Sequence, residues 1–467
     1  MAHTPFVGRE AELSKLNELF ASDKYECAVI YGRRRVGKTT LIKEFIKGKK
    51  AIYFLSREAA GNINLINFSS DVYAVTAKEL RGKAFFSDWE RAFDYIHDLA
   101  KKERMILVID EFPYLANGYR PISSIIQAHI DEQFTDGKLF LILCGSSMSF
   151  MEEQVLAYKS PLYGRRTAQF KILPFNFYTA LPFFQGFSKE EKAILYGITG
   201  GIPEYLNKID PRKTVRENII DLYFAASGHL FEEPSNLLKQ ELREPATYNG
   251  IIEAIAGGAS RLNEIASKCG IESNKCAKYL NSLISLGIIK KEWPITETSS
   301  SKRSIYLLDD MMFRFWYRFV FPNMSGIESG LGEAIYDSEI KESLAAYMGI
   351  VFEDICKQFI YEQAKNNVTP FLPTKIGRWW GNNPQEKRQE EIDILSYRKE
   401  EALFCECKWT KSPVGIEVLA DLERKSDLFP YKNKWFWLFA KTGFSDGLMA
   451  AAKARGNIRL VCLDEMI

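Results

Sequence analysis

The stretch Tyr31-Gly32-Arg33-Arg34-Arg35-Val36-Gly37-Lys38-Thr39-Thr40 decides the fold of the N-terminal part of the chain. It fits the phosphate-loop pattern of Gly, four residues, Gly, Lys and Thr. The apolar run 27–31 before it predicts a buried strand, and residues 39–46 continue at helical period. A strand, a glycine loop and a helix in this order predict backbone N–H groups and a helix dipole directed at phosphate. We expect Lys38 to contact the β and γ phosphates of a nucleoside triphosphate, and the Thr39 hydroxyl to bind Mg²⁺. The predicted nucleotide-binding residues are Gly32, Arg33, Arg34, Arg35, Val36, Gly37, Lys38, Thr39 and Thr40.

A second motif, Met105-Ile106-Leu107-Val108-Ile109-Asp110-Glu111, is an apolar strand that ends in two acids. Such a strand beside a phosphate loop predicts that Asp110 lies in the Mg²⁺ shell. Glu111 is then expected to polarise the attacking water. The same run in isolation also fits a strand followed by a solvated acidic turn.

The composition argues against a zinc-binding protein and against a membrane-spanning one. The chain has 467 residues, of which 46% are hydrophobic and 26% charged, and its formal net charge is +2. These values are typical of a soluble multidomain protein, and any basic surface for nucleic acid must be local. Eight scattered cysteines without a paired C-x-x-C spacing favour reduced thiols over zinc ligands. No apolar run is long enough for a membrane span, so we expect a cytoplasmic protein without a membrane partner.

Strand-like and amphipathic stretches alternate up to about residue 171, which predicts a parallel α/β sheet. The predicted strands are 27–31, 51–55, 105–109 and 139–144. The last of them runs into Gly145-Ser146-Ser147 at the carboxyl edge, where such folds bind ligands. Two uses of Ser146 stay open, sensing of the γ phosphate or capping of the next helix.

The middle of the chain predicts two further segments. Residues 174–238 are mainly helical and are interrupted by a turn at Gly200-Gly201-Ile202-Pro203, which indicates a helical lid. Between 250 and 308, two short helices, a strand, a Ser-rich tip and a return strand predict a winged helix-turn-helix. From Arg261 to Arg303 eight Lys or Arg stand against four Glu, a local charge of +4 that suits phosphate contacts. Because such folds also serve as protein–protein spacers, both uses stay open.

The last domain carries a second group of acids. Three strands are predicted at 391–397, 402–408 and 435–440, and alternation in the first two places Glu406 and Lys408 on one face of the second strand and the cysteines on the other. Asp393, Glu406 and Lys408 are therefore expected to converge, and Glu353 on the preceding helix is expected to complete the set. Carboxylates at Glu353, Asp393 and Glu406 would hold Mg²⁺ for phosphodiester hydrolysis. The alternative is a solvated edge strand of alternating charge.

These motifs together resemble the archaeal-type ATPases of the AAA+ and STAND classes. The similarity lies in Phe6-Val7-Gly8-Arg9-Glu10, the arginine-rich phosphate loop, Asp110-Glu111 and Gly200-Gly201-Ile202-Pro203. The C-terminal domain of that family is similar to PD-(D/E)XK nucleases, matched here by Glu353, Asp393, Glu406 and Lys408, with Ile392-Asp393 in place of Pro-Asp. The resemblance implies that Arg165 and Arg166 touch the γ phosphate, in cis or from a neighbouring copy. It also implies that Pro203 approaches adenine, and because no Asn-Lys-x-Asp motif is present, ATP is the expected nucleotide.

The predicted fold class is therefore α/β multidomain. Two functions fit the sequence: an ATP-hydrolysing switch that controls a nuclease-like module acting on DNA or RNA, or an ATP-gated DNA-binding regulator whose nuclease fold is inactive. A homo-oligomer is compatible with either. The predicted segments are a P-loop ATPase core (1–172), a helical lid (173–245), a winged helix (246–320), a linker (321–337) and a restriction-endonuclease-like domain (338–467).

Overall fold

A computed structural model describes residues 6–384 and 386–467, so the first five residues of the predicted ATPase core lie outside the described residues. The chain divides into two compact units. The N-terminal unit comprises residues up to Pro174 together with Ile202–Glu204, and the C-terminal unit comprises Phe175–Gly201 and Tyr205–Ile467. The finer division into five segments stays a prediction.

The N-terminal unit is built on a parallel sheet in the order β2-β3-β4-β1-β5. Its strands are β1 (Glu26–Tyr31), β2 (Ala51–Leu55), β3 (Met105–Asp110), β4 (Leu139–Gly145) and β5 (Ala168–Lys171). The three central strands are buried along their whole length, as expected for a sheet covered on both faces. All carboxyl ends of a parallel sheet meet at one edge, so the phosphate loop after β1 lies beside the acids at the end of β3.

The helices of this unit connect the strands. They are α1 (Glu10–Ala21), α2 (Lys38–Ile46), α3 (Gly61–Thr76), α4 (Trp89–Lys102), α5 (Phe112–Gly118), α6 (Ile122–Glu132) and α7 (Met148–Phe150), with shorter helical turns at Lys78–Leu80, Phe134–Asp136 and Met151–Leu156. Helix α4 is strongly amphipathic, and the Asp88 side chain caps it by accepting a hydrogen bond from the Arg91 N–H. The predicted parallel α/β core is thus confirmed.

The C-terminal unit begins with helices and a small antiparallel hairpin. They are α8 (Phe177–Ala180), α9 (Lys189–Thr199), α10 (Pro203–Leu206, which starts in the N-terminal unit), α11 (Val215–Tyr223), α12 (Glu233–Glu241), α13 (Pro245–Ala256), α14 (Leu262–Cys269), α15 (Ser273–Ser285), the hairpin strands β6 (Ile289–Glu292) and β7 (Ile305–Leu308), and α16 (Met311–Phe315). The predicted linker 321–337 contains short helical segments, among them α17 (Met324–Glu328) and α18 (Gly332–Ile335).

A second sheet follows the long helix α19 (Lys341–Lys365). Its order is β12-β11-β10-β9-β8, antiparallel on the β8–β9–β10 side and parallel on the β10–β11–β12 side. The elements are β8 (Ile376–Asn383), β9 (Arg388–Arg398), β10 (Glu401–Lys408), α20 (Ile416–Ser426), β11 (Asn433–Ala440), α21 (Asp446–Ala454), β12 (Ile458–Cys462) and α22 (Leu463–Met466). Three strands, β5, β8 and β12, were not predicted from the sequence.

The cysteines and the helix lengths bear on two expectations from the sequence, reduced thiols and the absence of a membrane span. All eight cysteines are free thiols, six of them buried and two, Cys269 and Cys462, partly buried. Across the described parts of the chain, every helix is too short or too polar to pass through a bilayer.

Candidate functional site

The phosphate loop has the backbone that its glycines allow. Gly37 has φ 90°, in the left-handed region, and stands immediately before α2. A Cβ on Gly32 would lie 2.3 Å from the Ile172 carbonyl oxygen, so only glycine fits at this point. Arg35 has φ 71°, a cost that a non-glycine residue bears at functional sites. The loop is therefore held in one conformation by close backbone packing.

The Lys38 ammonium lies against its own loop. Its Nζ donates hydrogen bonds to the carbonyl oxygens of Gly32 (2.8 Å) and Arg33 (2.9 Å), and the residue is only 6% exposed. Arg33 and Val36 are buried, whereas Thr39 and Thr40 are exposed in the first turn of α2. A phosphate that reaches Lys38 would exchange a charge-to-carbonyl hydrogen bond for a charge-to-charge one, which is the stronger interaction.

Arg9, for which no role was predicted from the sequence, forms hydrogen bonds with the phosphate loop and with the chain that follows β5. Its Nη2 donates to the carbonyl oxygens of Val36, at 3.2 Å, and Leu173. Burial lowers the pKa of this arginine below its ordinary value, while Glu12 acts in the opposite direction. The Gly8-Arg9-Glu10 run was part of the resemblance, and its position before α1 was the only available signal.

The acid at the end of β3 lies beside the first turn of α2. The Thr39 hydroxyl donates to Asp110 Oδ2 at 3.1 Å, and Asp110 is 2% exposed. The Tyr53 hydroxyl on β2 donates to the same oxygen. Burial first, and then Asp110, raise the pKa of Tyr53 above its usual range, so this phenol stays a proton donor. Thr39 and Asp110 thus place two oxygen ligands of the kind that Mg²⁺ prefers next to one another.

Glu111 has a left-handed backbone, with φ 51° and ψ 47°. Its Oε2 accepts hydrogen bonds from the Ser146 hydroxyl at 2.9 Å and from the Ser146 N–H at 3.3 Å. Ser146 therefore contacts Glu111, and no side-chain cap precedes α7. The carboxylate at the end of β3 is held by the residue that follows β4.

The arginines of the loop and the turn at 202–204 are also in contact within the N-terminal unit. Arg34 Nη2 donates to the Tyr114 hydroxyl at 2.7 Å, and Arg35 Nε lies 3.8 Å from Glu204 Oε2. A Cβ on Gly37 would be 3.7 Å from Pro203 Cγ. Pro203, predicted to approach adenine, therefore lies at the second glycine of the phosphate loop.

Arg165 and Arg166 lie at the opposite edge of the sheet. Thr167 N donates to the Cys27 carbonyl oxygen at 2.8 Å, so the arginines precede the start of β5 and stand near the start of β1. Arg165 makes a two-point ion pair with Asp131, at 2.7 and 2.6 Å. The phosphate loop begins five residues further along β1, about 16 Å away at the rise of a strand. In this conformation Arg165 therefore pairs with Asp131 and lies away from the phosphate loop, and the expected contact of Arg165 and Arg166 with the γ phosphate, in cis or from a neighbouring copy, stays a prediction.

In the C-terminal unit, β10 places Glu406 and Lys408 on one face, as predicted. Lys408 Nζ lies 2.7 Å from Glu406 Oε1, and Lys425 Nζ of α20 lies 3.8 Å from Oε2. Asp393 Oδ2 accepts a hydrogen bond from Cys407 N at 2.8 Å. The Glu406 carboxylate, 8% exposed, is thus balanced by two ammonium groups.

Glu353 and Asp393 line one cavity of about 360 Å³, together with Lys290, Arg314, Lys357 and Arg378. Glu406 and Lys408 are not among its lining residues. Burial and the Asp393 carboxylate raise the pKa of Glu353, and burial and the Glu406 carboxylate raise the pKa of Asp393. Glu353 of α19 and Asp393 of β9 therefore lie at one cavity. The Glu406 carboxylate does not line this cavity, but its negative charge raises the pKa of Asp393.

We tested whether these acids fit a metal ion. Over residues 6–384 and 386–467, no group of three or more His, Cys, Asp or Glu side chains is gathered closely enough to hold one. Glu406 Oε2 is buried and accepts no hydrogen bond within the described chain, which is the kind of atom that a cation would satisfy. The set Glu353, Asp393 and Glu406 therefore stays a prediction that requires side chains to move.

Comparison with known proteins gives two family matches and one long relative. Residues 6–209 match an ATPase domain found predominantly in Archaea, and residues 316–422 match a family of archaeal and bacterial proteins of unknown function. An uncharacterized protein of Methanocaldococcus jannaschii is 38% identical over 430 residues, which is 91% of this chain and 92% of that protein.

Among solved structures, a Walker-type ATPase of Pyrococcus abyssi is similar in fold. The TM-score is 0.50 at 20% identity, covering 67% of this chain and 96% of that one. The two family matches place the ATPase domain first and the domain of unknown function after it. The chain belongs to the archaeal-type ATPases that join this ATPase domain to a C-terminal domain of unknown function.

Proposed function

We propose that this protein is an ATP-binding and ATP-hydrolysing switch that controls a nuclease-like module. The observation that carries the first half is the meeting of Lys38, Thr39, Asp110 and Glu111 at the carboxyl edge of one parallel sheet. These are the residue types that bind and cleave a nucleoside triphosphate, in the places where they act.

Each residue has a separate task. The loop N–H groups and Lys38 bind the phosphates, and Thr39 with Asp110 would hold Mg²⁺, which neutralises phosphate charge when bound. Glu111 orients and polarises water, and Ser146 holds its carboxylate in place. Tyr53 fixes the Asp110 oxygen that Thr39 shares, so the acid does not rotate away from the loop.

The turn at 202–204 supports coupling of nucleotide state to the rest of the chain. Pro203 and Glu204 contact the loop through Gly37 and Arg35, and on both sides the chain continues into the C-terminal unit. A nucleotide that changes the position of the loop would therefore act on a turn with two covalent connections. Such a change is the expected source of a switch.

The test uses the full-length protein. Lys38→Ala is expected to abolish ATP binding, measured by fluorescent ATP analogue titration, and turnover, measured as phosphate release. Lys47→Ala, an exposed lysine just after the same helix, is the matched control and should leave both unchanged. Glu111→Gln is expected to keep binding and lose turnover. Hydrolysis retained by purified Lys38→Ala would overturn the ATPase proposal.

For the segment α13–α15 and the β6–β7 hairpin we propose a winged helix, because three helices followed by an antiparallel hairpin are the elements of that fold. For residues 338–467 we propose a restriction-endonuclease-like fold with metal-dependent action on nucleic acid. The order of one long helix, three antiparallel strands, a helix and a parallel strand, with Asp393 and Glu406 on adjacent strands, supports it. Binding of a metal by these carboxylates would require their side chains to move together.

The cleavage test is incubation with Mg²⁺ or Mn²⁺ and plasmid DNA or RNA, with and without ATP. Asp393→Ala should remove cleavage, and Glu423→Ala, at a partly exposed acid of α20 that pairs with Arg455, should not. Equal cleavage by wild type and Asp393→Ala would assign it to a contaminating enzyme.

One observation favours the second function, an ATP-gated nucleic-acid-binding regulator with an inactive nuclease fold. Lys408 and Lys425 both approach Glu406, so the carboxylate already has cationic partners. Under this function the protein binds nucleic acid in an ATP-dependent manner and cleaves nothing with either metal.

A further inference from the structure

A second cavity, of about 560 Å³, lies in the C-terminal unit and shares Lys290, Lys357 and Arg378 with the cavity of Glu353 and Asp393. We call it the wing groove and define it by Lys290, Lys291, Trp293, Lys357, Tyr361 and Lys375. Its walls are the β6–β7 hairpin with its connecting segment, helix α19, and the start of β8. The wing groove therefore leads to the acid pair.

The charge of the wing groove is net positive after its own ion pairs are considered. Its two acids are occupied: Glu292 lies 3.8 Å from Lys290, and Glu297 pairs with Arg303. By contrast, Lys291, Lys357 and Lys375 form no ion pair with a carboxylate in the part of the chain that is described, and Lys291 donates to the Ser299 carbonyl oxygen. Burial first, and then the neighbouring Lys290, lower the pKa of Lys357, against the weaker attraction of Asp354, Glu292 and Asp309.

Aromatic side chains stand between these cations. Tyr361 of α19 is 42% exposed, and Trp293 is partly exposed at the base of the hairpin loop. Accessible rings beside lysines without ion pairs are the composition of surfaces that stack bases and follow a phosphate backbone.

The hairpin loop that forms one wall of the groove is docked on the sheet. Ile295 N donates to the Arg378 carbonyl oxygen at 3.0 Å, and Arg303 Nη1 donates to the Trp380 carbonyl oxygen at 3.2 Å. Ile295 itself packs in the core of the C-terminal sheet. The groove therefore has one wall that is fixed to the sheet by hydrogen bonds and by a buried side chain.

We propose that the wing groove binds single-stranded nucleic acid and leads its backbone to Glu353 and Asp393. The inference rests on the proposed nuclease-like function and names its substrate class. Phosphates would pair with Lys291, Lys357 and Lys375, and a base would stack on Tyr361.

The test is fluorescence anisotropy of the full-length protein with fluorescein-labelled oligothymidylate, oligouridylate and a DNA duplex of equal length. EDTA is present, so cleavage does not contribute. Tyr361→Ala is expected to weaken single-strand binding about tenfold, as for loss of one stacked base. Lys375→Ala should lower the slope of log affinity against log salt by about 0.7, as for one phosphate contact on a single strand. Lys453→Ala, an exposed lysine on α21, should change neither, and Tyr361→Phe should restore affinity if stacking is the cause.

The proposal is supported if either single strand binds more tightly than the duplex, and if Tyr361→Ala and Lys375→Ala weaken this binding whereas Lys453→Ala does not. Comparison of oligothymidylate with oligouridylate then distinguishes DNA from RNA. Equal binding of duplex, or equal weakening by Lys453→Ala, overturns it. Failure of the nuclease function is distinguishable, because it appears as intact single-strand binding without cleavage in Mg²⁺ or Mn²⁺. If the wild type cleaves nucleic acid but the Tyr361 and Lys375 variants bind single strands as tightly as the wild type, the groove proposal is overturned and the nuclease proposal stands.

Discussion

The left-handed backbone of Glu111 predicts a separation of stability from activity. At φ 51° and ψ 47° an L-residue is less stable than glycine, by about 1–2 kcal/mol. Glu111→Ala keeps this strain and removes the hydrogen bonds to Ser146. Glu111→Gly removes the same hydrogen bonds and relieves the strain, so the difference between the two variants reports the strain alone.

The expected difference is about 1 kcal/mol in favour of the Glu111→Gly variant. The strain relief of about 1–2 kcal/mol is reduced by the larger unfolded-state freedom of glycine, about 0.5–1 kcal/mol. For a unit of this size 1 kcal/mol corresponds to about 2–4 °C in Tm. Both variants should lose ATP turnover, because each lacks the carboxylate.

The assay is differential scanning calorimetry of the N-terminal transition in the full chain, with phosphate release measured in parallel. Lys399, with φ 54° in the exposed turn between β9 and β10, gives the matched pair Lys399→Ala and Lys399→Gly. That pair should show a similar difference in the other transition and leave turnover intact. If Glu111→Ala is as stable as Glu111→Gly while the Lys399 pair behaves as expected, the backbone strain at Glu111 does not exist and the reasoning fails.

Three further predictions concern packing and charge. Gly32→Ala should abolish nucleotide binding and lower Tm, because its Cβ would lie 2.3 Å from the backbone oxygen of Ile172; unchanged binding in an ATP-analogue titration would contradict this close approach. Ile295→Ala should cost about 2–4 kcal/mol in urea unfolding of the C-terminal unit, as for a buried aliphatic side chain, and a change below about 0.5 kcal/mol would mean that the hairpin loop is not docked in solution. Arg424 holds the pKa of Glu390 at about 2, below its unfolded value, so this ion pair stabilises the fold above about pH 4.5 and the stabilisation is lost as pH falls toward 2; the stability difference between wild type and Arg424→Gln should therefore close over that range, and a difference independent of pH would contradict it.

The parts of the fold that are encoded locally could be predicted from the sequence. The phosphate loop and the strand ending at Asp110 each carry their signal within about ten residues, and both occupy the expected places. Strands β5, β8 and β12 could not be recognised. β5 and β12 are short and only partly buried, and β8 ends in Gly381-Asn382-Asn383, residue types that favour turns.

Site residues whose positions depend on the register of paired strands could not be predicted from the sequence. Tyr53 reaches Asp110 because β2 pairs with β3, and nothing near Tyr53 in the chain marks it. Arg165 is the opposite case. The resemblance to archaeal-type ATPases implied that it touches the γ phosphate, but the parallel register of β5 with β1 places it at the amino edge of the sheet. Only the direction of a strand decides which end of it faces the ligand.

The docked hairpin also decides how the positive charge of the 261–303 segment can be used. Ile295 is buried in the C-terminal core and Arg303 contacts β8, so a hairpin that entered a DNA groove would first lose this packing, about 2 kcal/mol for the isoleucine alone. Lys290 and Lys291 meanwhile line the wing groove from the inside. Contact of this segment with nucleic acid along the groove wall would leave the hairpin docked, whereas contact through the hairpin tip would require the free energy of undocking. The groove wall is therefore the favoured place of contact. The two uses left open for the segment, spacer and nucleic-acid contact, are therefore compatible: the hairpin packs on the sheet through its loop, and its first strand would face the single strand that we propose for the groove.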